Sequence, residues 1–397
     1  MNQTNQDKNG LEDAFIPPEE LAAKEDQTSA TPLIDQKDKS LKLQDMKKKP
    51  RLTKKKKIIL IVIISLVILA LLIGYFILSN NTSKKNSKTN IVKTKPVSDL
   101  VPSNLTGLPV NPSTNNIPVT AVMIENSIQA RPQSGLEQAG VVFEALAEGG
   151  ITRYMALYQD TAPNYMGPIR SARPYFVQWL LGFNADYAHV GGSPLALSDI
   201  QSWGVKDLNQ FYYGNYYQRI SSRVAPHNVY TSMAKLHTLE YNKGLTSHNF
   251  TSWPRQPAVP LKTPTATNIS LTMSGPSFNP SYTYNPKTNS YERSVGGQPE
   301  IGTDTNEQVN PKVVIAIVVP ETNGPLDSSG AYYSNYSIIG SNQAYIFQNG
   351  GVQIGQWTKS SNNSQIMFTD TSNNPIKLDP GQVWITAIVS NNNISYN

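Results

Sequence analysis

The chain has 397 residues, no cysteine, and 34 Lys and Arg against 28 Asp and Glu, which gives a formal net charge of +6. The missing cysteines exclude disulfides, thiolate metal sites, a cysteine nucleophile and a lipid-bearing cysteine. Basic residues concentrate near the N-terminus and the remainder is nearly neutral, so the sequence predicts no nucleic-acid partner.

An apolar run from Ile58 to Leu78 stands near the N-terminus. At about 1.5 Å per residue a helix of this length reaches roughly 30 Å, the hydrocarbon thickness of a bilayer. Clustered basic residues between Lys47 and Lys57 precede it, and such residues are retained on the cytoplasmic side. The pattern predicts a single-pass transmembrane helix at the cell membrane, with a cytoplasmic N-terminus and extracellular C-terminal domains. A cleaved signal peptide is the alternative, but its apolar core spans only about 7 to 15 residues.

Composition divides the rest of the chain into segments. Residues 1–57 are polar without apolar periodicity, which predicts a disordered cytoplasmic tail, and residues 79–115 are predicted to be a flexible spacer. Residues 116–250 mix strand and helix patterns, residues 251–275 form a proline-rich linker, and residues 276–397 alternate short apolar runs with turns. The predicted fold class is therefore a mixed α/β N-terminal ectodomain plus an all-β C-terminal domain, after a single N-terminal transmembrane helix.

A hairpin is predicted within the α/β domain, from Gly140 to Glu148 and from Ile151 to Gln159, joined by two glycines. A two-residue turn and the side-chain period of two place Glu144, Glu148 and Arg153 on one face of this hairpin. The three side chains form either a structural bridge or a site in which one carboxylate acts as a general base or a cation ligand.

The next segment leads from Arg170 into an apolar helix that ends near Leu181. Pro174 fits the first turn of this helix, because a proline there needs no backbone N–H. Arg170 and Arg173 then lie at the positive end of the helix dipole, where a cation needs a counter-charge. Either a bound anion or an internal carboxylate such as Glu144 would supply it.

Two histidines and a serine complete the set of candidate side chains. Ser193 follows a strand and a glycine pair, and we interpret it as a helix N-cap, since the sequence lacks the later glycine of a nucleophile elbow. His189 lies at the end of that strand, and His227 follows a proline in a loop from which it could face a ligand. A third helix is predicted from about Ser232 to Asn242. We predict no metal site, because too few ligands are available.

Arginine is strongly favoured in this domain. Between Arg131 and Arg223 there are six arginines and one lysine. Guanidinium groups hold carboxylates and phosphates in fixed geometry, so the bias predicts an anion site. The predicted ligand-binding residues are Arg131, Arg153, Arg170, Arg173, Ser193, Arg223 and His227.

Several motifs, taken together, resemble the YerB-like lipoproteins of Gram-positive bacteria. They are Glu125 to Leu136, Glu148 to Arg153, Gly167 to Pro174, His189 to Pro194, Arg223 to Asn228, Tyr291 to Gly297, Gly355 to Trp357 and Gly381 to Ile385. The resemblance covers about residues 116 to 390 and implies a two-domain envelope protein that faces outward, with no assigned reaction. This chain departs from the family in lacking a lipidated cysteine, so the predicted helix would be its anchor.

Two functional hypotheses follow. In the first, the protein is a non-enzymatic envelope module that binds a cell-wall or lipid-linked anion, while its β domain contacts a glycan or another envelope protein. In the second, it is a transferase or hydrolase acting on a phosphate or glycosidic linkage. Glu144 or Glu148 would then be the base and His189 or His227 the acid. The sequence names no cofactor.

Overall fold

The computed structural model describes Leu69, residues 100–246 and residues 249–397. The predicted tail, the first part of the predicted spacer and the predicted transmembrane segment apart from Leu69 lie outside these residues. No helix within the described residues is long and apolar enough to cross a membrane. Ile91–Asn397 forms a compact unit by itself.

Strands dominate this unit. In chain order they are β1 (Val101–Pro102), β2 (Pro109–Val110), β3 (Thr120–Glu125), β4 (Val141–Leu146), β5 (Thr152–Tyr158), β6 (Asp186–Ala188), β7 (Lys206–Asp207), β8 (Gln218–Arg219), β9 (Val229–Tyr230), β10 (Asn268–Leu271), β11 (Pro280–Asn285), β12 (Ser290–Val295), β13 (Gln298–Pro299), β14 (Val313–Val318), β15 (Glu321–Leu326), β16 (Tyr332–Tyr336), β17 (Gly340–Gln348), β18 (Gly351–Lys359), β19 (Met367–Thr369), β20 (Val383–Ile388) and β21 (Ile394–Tyr396). The α-helices of this unit are α1 (Pro174–Leu181), α2 (Pro194–Ser202) and α3 (Met233–Asn242). Short 3-10 helices span Pro112–Asn116, Ile128–Ala130, Leu136–Gln138, Gly214–Tyr216, Pro276–Phe278 and Asn391–Asn393.

Two helices, α2 and α3, begin at serine residues that cap them. The Ser193 side chain accepts a hydrogen bond from the Ala196 backbone N–H at 3.3 Å, and Ser232 accepts one from Lys235 at the same distance. Each satisfies a backbone donor that the first turn of a helix leaves unpaired. The N-cap role predicted for Ser193 is therefore confirmed.

A ten-stranded mixed sheet forms the centre of the unit, in the order β19-β18-β17-β14-β20-β4-β5-β3-β6-β7. Its middle is the parallel pairing of β20 with β4, in which Val383 lies opposite Val141 and Thr386 opposite Glu144. A second sheet, in the order β13-β12-β11-β10-β21, is antiparallel. The N-terminal part is thus mixed α and β and the C-terminal part is built of strands, but both contribute to one sheet.

Both faces of the large sheet are covered, which explains the nearly continuous apolar sequence of its central strands. Phe143 and its odd-numbered neighbours in β4 face a core that includes α1, where the rings of Phe143 and Trp179 stack at 5.0 Å. Val142 faces the opposite core, which includes Leu236 of α3 and Ile269 of the second sheet. The side-chain period of two along a strand produces this division.

Two predicted segment boundaries need correction. The predicted spacer, residues 79–115, overlaps the folded unit, because Leu105 is buried and the Ser103 hydroxyl donates to Asp160 at 2.6 Å. The predicted linker, residues 251–275, contains the whole of β10, and the buried Trp253 indole donates to the Ile366 carbonyl at 2.7 Å. Proline and asparagine suppress regular structure in both segments, but the few large apolar residues there still pack into the cores.

Candidate functional site

A group of charged side chains lies at the edge of the ten-stranded sheet where β3, β4 and β6 end. These strands run in the same direction, since β3 is parallel to β6 and both β3 and β4 are antiparallel to β5. Glu125 is the last residue of β3, Glu148 follows β4, and His189 follows β6. Ligand sites of α/β folds are commonly found at the carboxyl ends of strands. We call this group the charged edge; its members are Glu125, Ser127, Glu148, Arg153, Arg170, Arg173 and His227.

One carboxylate of the charged edge binds two arginines. Glu148 Oε1 accepts a hydrogen bond from Arg153 Nη2 at 2.7 Å, and Glu148 Oε2 accepts one from Arg173 Nε at 3.0 Å. Burial alone would raise the pKa of Glu148, but the charges of Arg153 and Arg173 outweigh it and lower that pKa. Glu148 is therefore a counter-ion, and its lowered pKa makes it a poor general base.

Among the described residues, Glu148 is the one carboxylate in an ion pair with these two guanidinium groups, and Glu125 acts on Arg153 only at longer range. Arg153 is 3% exposed and Arg173 is 4% exposed. Their other hydrogen bonds go to neutral groups: Arg153 donates to the Ser171 carbonyl at 3.0 Å, and Arg173 donates to the Ala172 carbonyl at 2.6 Å. Burial and the charge of Arg153 lower the pKa of Arg173. The trio of Glu148, Arg153 and Arg173 thus carries one positive charge in excess.

The other carboxylate of the charged edge is Glu125, which sequence reasoning missed. Its Oε1 lies 2.9 Å from His227 Nδ1, accepts from Ser127 Oγ at 2.9 Å and forms an ion pair with Arg170 Nε at 3.2 Å. Its Oε2 is buried and has no hydrogen-bond partner among the described residues. The available signal was positional, because Glu125 ends the buried strand β3 and begins one of the family-like motifs.

A cavity of about 490 Å³ adjoins Arg173. It lies between the first turns of α1 and α2 on one side and the β15–β16 hairpin on the other, so Ser193 lines it as well. The guanidinium group of Arg173 also stacks on the ring of Tyr333, 4.9 Å from its centroid. Arg173 and Ser193, which are distant in sequence, therefore meet at one concave surface.

Glu144 does not belong to the charged edge, and the prediction that it shares a face with Arg153 is wrong. Arg153 pairs with Ala145, and Glu144 pairs with Tyr154. The cause is the turn, where the Ala147 N–H donates to the Ile151 carbonyl and shifts the predicted register by one residue. Such a shift moves a side chain to the opposite face.

On that opposite face Glu144 belongs to a buried ion cluster between the two sheets. Both of its carboxylate oxygens accept from Arg293 Nη2, at 2.8 and 2.9 Å, and its Oε2 accepts from the Trp384 indole at 3.0 Å. Arg293 also pairs with the buried Glu300. Glu144 is fully buried by these contacts, so it is not accessible as a catalytic base.

His189 also lies inside the fold rather than at an accessible surface. Its side chain is fully buried, its Nδ1 lies 2.7 Å from the Gly191 carbonyl, and its Nε2 lies 2.9 Å from Asp207 Oδ1. Both ring nitrogens are thus used within the fold. The hypothesis that His189 is a catalytic acid is contradicted, and His227 is the histidine that the structure places at the charged edge.

Arg131 and Arg223 stabilise a neighbouring loop. Arg131 donates to the Asn126 side chain at 2.9 Å and to the Asn126 carbonyl at 3.1 Å. Arg223 donates to the carbonyls of Gln129 at 3.1 Å and Pro132 at 2.6 Å. Of the five predicted arginines, Arg153, Arg170 and Arg173 lie at the charged edge. Among the described residues, no cluster of three or more histidine and acidic side chains could hold a metal ion.

Comparisons with known proteins give the family. Residues 105–246 match the family described as "Protein of unknown function (DUF3048) N-terminal domain", and residues 269–385 match its C-terminal domain. The chain is 29% identical to "Putative lipoprotein YerB" of Bacillus subtilis (strain 168) over 288 residues, which is 72% of this chain and 85% of that protein.

The crystal structure of the YerB protein from Bacillus subtilis is similar to this structure, with a TM-score of 0.68 and 27% sequence identity. The similarity covers 75% of this chain and 99% of the crystallised chain. Sequence and fold therefore agree over both halves of this unit, and the chain belongs to the YerB-like family, with DUF3048 N- and C-terminal domains.

Proposed function

We propose that the protein is a membrane-anchored, extracytoplasmic component of the cell envelope that binds an anionic ligand at the charged edge. The ligand would bear a phosphate or carboxylate and belong to the cell wall or to a lipid. The lysine-flanked apolar run and the lipoprotein name of the relative support the location. A contact between the strand-rich half and another envelope protein is a further part of this proposal.

The observation that carries the proposal is the pair of buried guanidinium groups that share Glu148. A buried charge is costly unless it is paired, and among the described residues Glu148 is the one carboxylate that forms an ion pair with either of these two guanidinium groups. Arg173 lines an open cavity, so an anion could reach it from solvent. The first turns of α1 and α2 face the same cavity and would add to the attraction.

This proposal is tested by calorimetric titration of pyrophosphate into the unit Ile91–Asn397 at low ionic strength. We expect Arg173→Gln to weaken binding by about tenfold or more, because a charge-assisted hydrogen bond contributes about 1.5 to 3 kcal/mol. Lys287→Gln is the matched control, since it removes the same charge from an exposed turn between β11 and β12. Equal affinity of Arg173→Gln and the unsubstituted protein, with both folded, would refute the proposal.

The pair formed by Glu125 and His227 favours a second candidate function, a transferase or hydrolase acting on a phosphate or glycosidic linkage. A carboxylate that binds Nδ1 orients an imidazole for proton transfer at its other nitrogen. Turnover of a lipid-pyrophosphate glycan that is lost in His227→Ala would support this candidate. Absence of turnover with such substrates leaves the binding function alone.

A further inference from the structure

We propose that the cavity beside Arg173 selects an acidic amphiphile, whose anionic head binds at Arg173 while its apolar chain lies along the cavity walls. This inference rests on the proposed anion-binding function and specifies the ligand class. The ligand is defined by its chemistry, a single phosphate or carboxylate head joined to a hydrocarbon chain.

Several side chains in the cavity wall are apolar residues that the fold leaves exposed to solvent. Leu195, in the first turn of α2, is 58% exposed, and Leu326, at the end of β15, is 54% exposed. Both line the cavity, together with Pro174, Pro194 and Pro325. Single exposed apolar residues are common on protein surfaces, but several of them gathered around one concavity indicate a binding surface.

The charged and apolar parts of the cavity come from different elements. Arg173 lies at the start of α1 and is almost fully buried, so its charge is confined to the base of the site. The β15–β16 hairpin supplies Leu326 and also Tyr333, which covers Arg173. A volume of about 490 Å³ is in the range of small-molecule sites. A ligand that fits both parts must carry a negative group at one end and hydrocarbon at the other.

A carboxylate on the rim restricts the head group. Asp327 lines the same cavity, and hydrogen bonds from the Ser329 hydroxyl and the Ala331 backbone N–H lower its pKa. It is therefore ionised at neutral pH and repels a second negative charge near the cavity mouth. The arrangement favours a head of low charge that reaches the base over a large polyanion.

A larger cavity elsewhere in the described residues offers a useful contrast. Its volume is about 920 Å³, but no charged side chain lines it. Size alone would select that cavity, whereas charge and apolar walls occur together beside Arg173. The amphiphile is thus assigned to the smaller cavity.

The test compares three probes on the unit Ile91–Asn397: inorganic phosphate, decyl phosphate below its micelle concentration, and decyl maltoside as a neutral amphiphile. Burial of only a few methylene groups makes decyl phosphate bind about tenfold or more tightly than inorganic phosphate. Decyl maltoside is expected to bind more weakly than decyl phosphate. Equal affinity for decyl phosphate and inorganic phosphate would overturn the amphiphile inference alone. Failure of both to bind would refute the anion-binding function as well.

A double variant tests where the hydrocarbon chain of the ligand binds. In the double variant Leu195→Ser/Leu326→Ser, the preference for decyl phosphate over inorganic phosphate should fall about tenfold, because two apolar side chains of the cavity wall are removed. Both side chains are more than half exposed, so the fold should tolerate their replacement, and thermal unfolding checks this. Val259→Ser is the control, since Val259 is exposed in the segment before β10 and does not line this cavity. An unchanged preference in the double variant would show that the hydrocarbon chain of the ligand does not bind in this cavity, and it would overturn the inference.

Discussion

Glu148→Gln separates the two roles of the charged edge, stability and anion binding. Glu148 is the only carboxylate bound to both Arg153 and Arg173 in the described residues, so the substitution raises the local charge by one unit. Breaking a buried ion pair costs about 3 to 5 kcal/mol, which we expect as the loss in unfolding free energy without added anion. The same added charge attracts an anion about 5 Å away by about 3 kcal/mol at an effective dielectric constant of about 20.

Urea unfolding of the unit Ile91–Asn397, with and without pyrophosphate, measures both effects. An anion present at about 100 times its dissociation constant stabilises the folded state by about 2.7 kcal/mol. We therefore expect pyrophosphate to restore most of the stability that Glu148→Gln loses, beyond any effect of sodium chloride at equal ionic strength. Glu307→Gln, at an exposed site, is the charge-matched control and should respond only to ionic strength. A Glu148→Gln protein that is as stable as the unsubstituted unit, or that pyrophosphate does not stabilise, would refute this reasoning.

Three further predictions concern other charged groups. Arg293→Met leaves two buried carboxylates unpaired and should lower the unfolding free energy by about 3 to 5 kcal/mol in urea titrations; a loss under about 1 kcal/mol would contradict the account of the ion cluster. Burial raises the pKa of Asp186 to about 8 and that of Glu240 to about 7, so below about pH 7 the folded state retains two protons that the unfolded state loses above about pH 4 to 5. Stability should consequently fall by up to about 2.7 kcal/mol per pH unit between about pH 5 and 7 and by about 1.4 kcal/mol per pH unit between about pH 7 and 8, then level off, with about half the initial slope in Glu240→Gln; a pH-independent stability would contradict this. Asp327→Asn should tighten pyrophosphate binding in calorimetry, because it removes a repelling carboxylate from the cavity rim, and unchanged affinity would argue against binding there.

Local elements were predictable where short-range physics determines them. The starts of α2 and α3 follow serine caps, and the β17–β18 turn contains Asn349 and Gly350, which both have positive φ. These signals lie within a few residues of the element that they specify. The β15–β16 hairpin was missed, because the strand from Glu321 to Leu326 has neither apolar alternation nor β-branched enrichment.

Long-range pairing was not predictable from the pattern. The parallel contact between β20 and β4 joins residues more than two hundred positions apart, and nothing local indicates that the two halves share a sheet. The hairpin register shows the same limit at short range. A two-residue turn and the observed three-residue loop of Glu148, Gly149 and Gly150 are both compatible with the sequence, yet they place Glu144 on opposite faces.

The candidate site was predicted in part. Helix-dipole reasoning required a counter-charge for Arg170 and Arg173, and the structure supplies Glu125 and Glu148 in place of the suggested Glu144. Residue type and spacing identified the cations, because arginine is rare in buried strands and helix starts. The partners depended on tertiary contacts between loops, which the sequence pattern does not encode.

The central claim is that an anion binds beside the two guanidinium groups that share Glu148. Soaking crystals of the unit Ile91–Asn397 in tungstate tests it most directly, because tungsten gives a strong anomalous signal and mimics a tetrahedral phosphate. The account predicts an anomalous peak within hydrogen-bonding distance of Arg173, at the base of the cavity, and loss of that peak in Arg173→Gln. A cavity without tungstate, or the same peak in Arg173→Gln, would contradict it.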